Sequence, residues 1–153
     1  MKKSFSAKAA LFVAVLLTGV SSFSFANSPA RSGKDVPASF HRNFRKAEVL
    51  SSEVQAKFTV VTFKQNDAVE SAYYGANGEL LAVVHNIVSS QLPADLQADL
   101  KSNYGGYWIT ELFELNADGQ SGYYIALENA DTRLTLHATA DGSWEVYGSV
   151  VKS

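Results

Sequence analysis

The chain has 153 residues, 46% of them hydrophobic and 18% charged, and it contains no cysteine. That absence excludes disulfides, thiolate metal sites and cysteine nucleophiles together, so packing alone must supply stability. Thirteen Lys and Arg stand against fifteen Asp and Glu, and the only basic cluster, Arg42, Arg45 and Lys46, falls on a short predicted helix, which is no footprint for nucleic-acid phosphates.

The first residues read as an export signal. Lys2, Lys3 and Lys8 form a positive start, Ala9 to Val20 is apolar, and Ser24-Phe25-Ala26 puts small residues at −3 and −1 of a cut before Asn27. The apolar run of 12 residues falls well short of the roughly 20 that cross a bilayer, so residues 1–26 are predicted to be a signal peptide and no stable membrane insertion is expected. Lipid attachment after cleavage needs a cysteine, which is absent. The expected location is therefore periplasmic or secreted. Loss of Lys2, Lys3 and Lys8 leaves 127 residues with ten basic against fifteen acidic groups, a net charge of −5. That length suits one domain with one sizeable core. Residues 27–34 (NSPARSGK) are small and polar with Pro and Gly, and are predicted to be a flexible leader to a domain at 35–153.

Val36, Phe40 and Phe44 recur every four residues behind Pro37, which predicts an amphipathic helix to about Ala47. From Ser52 the period becomes two: Val54, Ala56, Phe58 and Val60 alternate with polar residues as in a half-buried strand. A second strand at Ala68 to Tyr74 leads through Asn77-Gly78, a tight-turn signal, into a third at Leu80 to Val88. The order then recurs. Leu92, Leu96, Leu100 and Tyr104 predict a second helix behind Pro93, stopped by Gly105-Gly106. Four strands follow, Trp108 to Leu115, Tyr123 to Glu128, Arg133 to Thr139 and Ser143 to Val150, with turns at Asp118-Gly119 and Asp141-Gly142. The expected fold class is α+β: a tandem helix-plus-antiparallel-strands repeat, residues 35–88 and 91–150, forming one sheet with two helices on one face.

A Val-Pro-Ala-led helix, a Gly-Ala-Asn-Gly-Glu turn, a Leu-Pro-led helix ending in Tyr-Gly-Gly-Tyr, Gly-Tyr-Tyr strands and a closing Ala-Asp-Gly-Ser turn together resemble the PepSY-like family of secreted bacterial proteins, over Asp35 to Val150. That family's fold is similar to the β-lactamase inhibitory proteins. The resemblance implies a concave sheet presented to a protein partner. Inhibitors of that fold usually carry disulfides, so specific β-lactamase inhibition is not implied here.

No catalytic constellation stands out. Ser121 and Ser143 follow turns but complete no Gly-x-Ser-x-Gly elbow. His41, His85 and His137 lack paired ligand spacing. The Asn116–Gln120 stretch resembles a calcium loop only faintly, since its twelfth position is Leu127. Glu111 with Glu114, and Glu70 with Glu79, read as exposed strand ends. The chain is therefore expected to be no enzyme, with no catalytic residue, metal site or cofactor.

The aromatic residues point to binding instead. Adjacent pairs such as Tyr73-Tyr74 and Tyr123-Tyr124 must send one ring to each side of a sheet, and exposed Tyr and Trp are enriched at protein–protein hot spots. Alternation assigns Leu134, Leu136 and Ala138 to the helices and leaves Arg133 and His137 on the open face. It makes Trp144, Val146 and Val150 core with Tyr147 open, and Ile109, Phe113 and Leu115 core with Trp108 open. Tyr123, Ile125 and Leu127 then point inward and Tyr124 outward. The candidate partner-binding residues are Trp108, Tyr124, Arg133, His137 and Tyr147, in a binding or inhibitor-like module that recognises an unknown protein or peptide. A small-ligand or metal-binding envelope sensor, motivated by the three histidines, is the alternative.

Overall fold

A computed structural model describes residues 36–55, 57–139 and 142–152. The predicted signal 1–26, the leader 27–34 and the Ala140-Asp141 tip of the last turn lie outside these described residues. Eight strands cross one antiparallel sheet in sequence order: β1 (Glu48–Val54), β2 (Phe58–Gln65), β3 (Ala68–Gly75), β4 (Leu80–Asn86), β5 (Trp108–Ala117), β6 (Gln120–Glu128), β7 (Thr132–Thr139) and β8 (Glu145–Val151). Among the described residues the helical elements are a single turn α1 (Phe40–Asn43), a 3₁₀ turn at Ser89–Gln91 and one true helix, α2 (Ala94–Asn103). The fold is sheet-dominated, and this overturns the expected α+β repeat with two helices.

The first predicted helix shrinks because packing outweighs propensity. Four residues lie far below the length at which a helix holds itself together in water. α1 persists because Phe40 is fully buried, its ring 5.2 Å from both Phe44 and Phe63. Phe44 leaves the helical region (φ −129°, ψ 72°), and its ring lies 4.5 Å from that of Phe63. Residues from Glu48 onward then pair along β2, with Val49 opposite Phe63 and Val54 opposite Thr59. The single strand expected from Ser52 is thus two, joined by a turn in which Gln55 N–H donates to the Phe58 carbonyl. Alternation ran on through the reversal.

Turn chemistry sets the meander. Asn66 and Asp67 between β2 and β3, and Asp118 and Gly119 between β5 and β6, all take positive φ (50°, 63°, 52° and 73°), the two-residue geometry that matches strand twist. Between β3 and β4 Gly78 alone is positive, at 77°; Asn77 is not, and a short turn closes with Gly78 N–H donating to the Gly75 carbonyl. A Cβ at Gly78 would meet only the Ser39 hydroxyl at 3.9 Å, an ordinary contact. Gly78→Ala is therefore expected to cost about 1–2 kcal/mol through backbone conformation alone, read by urea unfolding. An unchanged midpoint would show that the turn does not need that φ.

Register fixes the faces. A continuous row of directly paired residues, Phe63, Glu70, His85, Glu114, Tyr123 and Ala138, runs across β2 to β7 and marks the side covered by both α1 and α2. At one end of this side Phe40, Val61, Phe63, Ala72 and Tyr74 form a buried cluster. At the other end Leu92 and Leu96 pack on Leu112, Ile125, Leu127, Leu136, Ala138 and Trp144. Each helical segment is also tied to the hairpin ending its own set of four strands. Ser39 Oγ donates to the Gly78 carbonyl at 2.6 Å, and Trp144 Nε1 donates to the Leu96 carbonyl at 2.9 Å. Trp144 N–H adds a bond to the Asp99 carboxylate at 3.0 Å.

Candidate binding face

The opposite side carries the row Asn86, Phe113, Tyr124, His137 and Glu145 and, farther along the strands, the row Trp108, Glu128, Arg133 and Val150. All five sequence-predicted residues project from this side, since Tyr147 reaches the Tyr124 ring from β8. Trp108 arrives there by a bulge. The register of β5 against β6 shifts between Ile109 and Glu111, so Ile109 turns to the α2 side, opposite Leu127, while Trp108 stands opposite Glu128.

The same register corrects several inward assignments. Phe113 and Leu115 lie on the Tyr124 side, Phe113 being paired with Tyr124, whereas Leu112 takes the α2 side opposite Ile125. Val146 and Val150 are exposed at 60% and 64% rather than core, because β8 is an edge strand.

Rings form the centre of this face. Tyr124 stacks on Phe113 (centroids 5.5 Å, planes 16° apart), lies 4.8 Å from the His137 ring and meets Tyr147 edge-on at 6.3 Å. Tyr124 is 2% exposed, a floor residue rather than the outward ring that alternation suggests, while Tyr147 and Trp108 stand out at 42% and 53%. Burial, helped by the neighbouring Tyr147 hydroxyl, raises the Tyr124 phenol well above its ordinary range. Burial likewise lowers the His137 imidazole, more than Glu145 raises it, so this ring is neutral at neutral pH. On the first half of the same face, Tyr73 is pushed up to about 12 by burial and by the charge of Glu53, with Phe58 5.7 Å away.

Beside the rings lies a cross-strand ion network that the sequence did not reveal. Arg133 reaches Glu111 at 3.4 Å and Glu128 at 3.6 Å, and Lys152 reaches the other oxygen of Glu128 at 2.7 Å. Lys152 Nζ also donates to the Asn129 carbonyl at 2.9 Å and sits 5.3 Å from the centre of the Trp108 ring. The bond from Lys152 holds the Glu128 carboxyl below the usual range. These contacts unite residues 108, 111, 128, 133 and 152, which only strand register brings side by side.

The residues weighed for chemistry stand apart. Ser121 donates to the Asn116 side chain at 2.7 Å inside the β5–β6 hairpin. His85 is on the α1/α2 side, 3.4 Å from Glu70, while His137 faces the other way and His41 sits on exposed α1. Among the described residues no group of three His, Asp or Glu could hold a metal ion, and no helix is long and apolar enough to cross a membrane.

No family model matches the chain, and no curated protein matches its sequence. Solved structures share its fold. A DUF2874-family protein from Bacteroides uniformis superposes with a TM-score of 0.66 at 14% identity, over 78% of this chain and 89% of that one. A second from Bacteroides ovatus gives 0.65 at 12% identity, over 82% and 89%. A BLIP-like protein from Bacteroides fragilis gives the same values, 0.65 and 12%, over 82% and 89%. The fold is therefore BLIP-like.

Proposed function

We propose that this chain is an exported, non-enzymatic binding module of the PepSY-like type, acting in the periplasm or outside the cell and recognising a protein or peptide through the face that carries Trp108, Tyr124, Arg133, His137 and Tyr147. The observation that carries this reading is the register, which gathers five residues from four strands on one side of the sheet. Trp108 and Tyr147 supply exposed aromatic surface, Tyr147 meets the buried Tyr124 ring edge-on, and His137 packs against Tyr124. Large rings on a rigid strand scaffold lose little conformational freedom on binding, the economy that makes Tyr and Trp common anchors. The BLIP-like neighbour and the signal-like N-terminus point the same way.

The test is Trp108→Ala with Tyr147→Ala on the immobilised protein, exposed to an envelope extract. Loss of about 2 kcal/mol per anchor, roughly 30-fold each in affinity, is expected for whichever protein the parent retains, with thermal unfolding still cooperative. The same protein retained equally by the double variant would refute this surface.

A further inference from the structure

We infer that Glu128 is the positioning residue of the Trp108 anchor: it clamps Lys152 over the indole and so presets the ring that a partner meets. The inference rests on the proposed binding face, and it names the part of that face that creates order rather than contact.

The geometry is specific. Glu128 is the direct cross-strand neighbour of Trp108 on one side and of Arg133 on the other. Its two oxygens are divided between two cations, Oε1 with Arg133 Nε at 3.6 Å and Oε2 with Lys152 Nζ at 2.7 Å. A lone surface ion pair contributes little because two long side chains must be ordered for one contact. Here the ordering is shared. Arg133 is also held by Glu111 at 3.4 Å, and Lys152 by the Asn129 carbonyl at 2.9 Å, while Lys152 N–H donates to the Asp131 carbonyl at 2.8 Å. The ammonium, held by Glu128 and the Asn129 carbonyl on a residue whose backbone is also tied down, stands 5.3 Å from the Trp108 centroid, within reach of a cation–π attraction. Trp108 opens β5 beside a bulge and is 53% exposed, so packing alone leaves its ring under-determined. The clamp supplies the missing constraint.

The readout is the indole N–H of each tryptophan in the full chain, by ¹⁵N heteronuclear relaxation. Trp144 Nε1, bonded to the Leu96 carbonyl in the core, is the internal control for folding. In the parent both indoles should relax like the backbone. In Glu128→Gln the Trp108 indole should become mobile while Trp144 is unchanged, and Lys152→Met should do the same, whereas Lys152→Arg should keep Trp108 ordered. Acidification of the parent should release Trp108 with a midpoint below the ordinary glutamate range, since the clamped carboxylate resists protonation. Should Glu128→Gln also disturb Trp144, Lys152→Met decides the matter. A Trp108 signal equally rigid in the parent and in Lys152→Met, or a mobile one in the parent, overturns the inference. Because none of these signals needs a partner, the clamp and the binding face fail separately. If both stand, Glu128→Gln weakens capture by at most roughly tenfold, the cost of ordering one side chain.

Discussion

Replacing Trp144 by alanine should lower the unfolding free energy by about 3–5 kcal/mol, a large part of the 5–15 kcal/mol that holds a typical domain together. The residue is 6% exposed and belongs to the cluster that seats α2 on β5, β6 and β7. It also acts as a fastener. The indole N–H bonds to the Leu96 carbonyl in the first turn of α2, and the backbone N–H bonds to Asp99 about one turn later. Alanine keeps the second bond, loses the first and leaves a void beneath the helix. Phenylalanine keeps most of the volume and should cost about 1–2 kcal/mol for the lost hydrogen bond and incomplete filling. Urea unfolding measures both. Equal stability of the two variants would mean that the ring's volume does not secure α2.

Phe40→Ala should cost a similar 3–5 kcal/mol at the other end of the sheet, although its host element is a single helical turn. The ring is completely buried and touches Phe44, Phe63 and Tyr74, with centroids 5.2, 5.2 and 6.4 Å away. Since α1 is too short to persist unaided, the substitution should melt it as well, removing the tie from Ser39 to Gly78 and the bond from Asn43 to the Tyr74 hydroxyl. Hydrogen exchange at the Phe44 amide, which bonds to the Phe40 carbonyl, should then approach that of an open chain. A loss below about 1 kcal/mol would show that Phe40 is a passenger in this cluster.

Local chemistry was legible in the sequence where one residue type forces one geometry. Asp118-Gly119 announces its hairpin because both residues must take positive φ, and the Leu92, Leu96 and Leu100 spacing announces α2. Long-range consequences were not. The run to Ala47 has helical spacing, but Phe44 gains more by leaving the helix to pack on Phe63, and the residues after it complete a strand pair. That difference turns the expected two-helix α+β repeat into a sheet with one true helix among the described residues. In β5, alternation assigned Phe113 and Leu115 to the core beneath the helix because an irregularity between Ile109 and Glu111 changes the phase, and no residue there advertises it. The Glu111, Glu128, Arg133 and Lys152 network was equally invisible, since its members meet only after three strand registers are set.

The strictly sequential strand order bears on how the chain acquires its shape. Every strand finds its neighbour in the segment made just before or just after it, and only the passage from β4 to β5 detours through a helix. Ring closures are therefore short almost throughout, and little entropy is spent before contacts begin to reward it. A polypeptide with this strand order can zip up from an extended state ribbon by ribbon, without waiting for its far end to arrive.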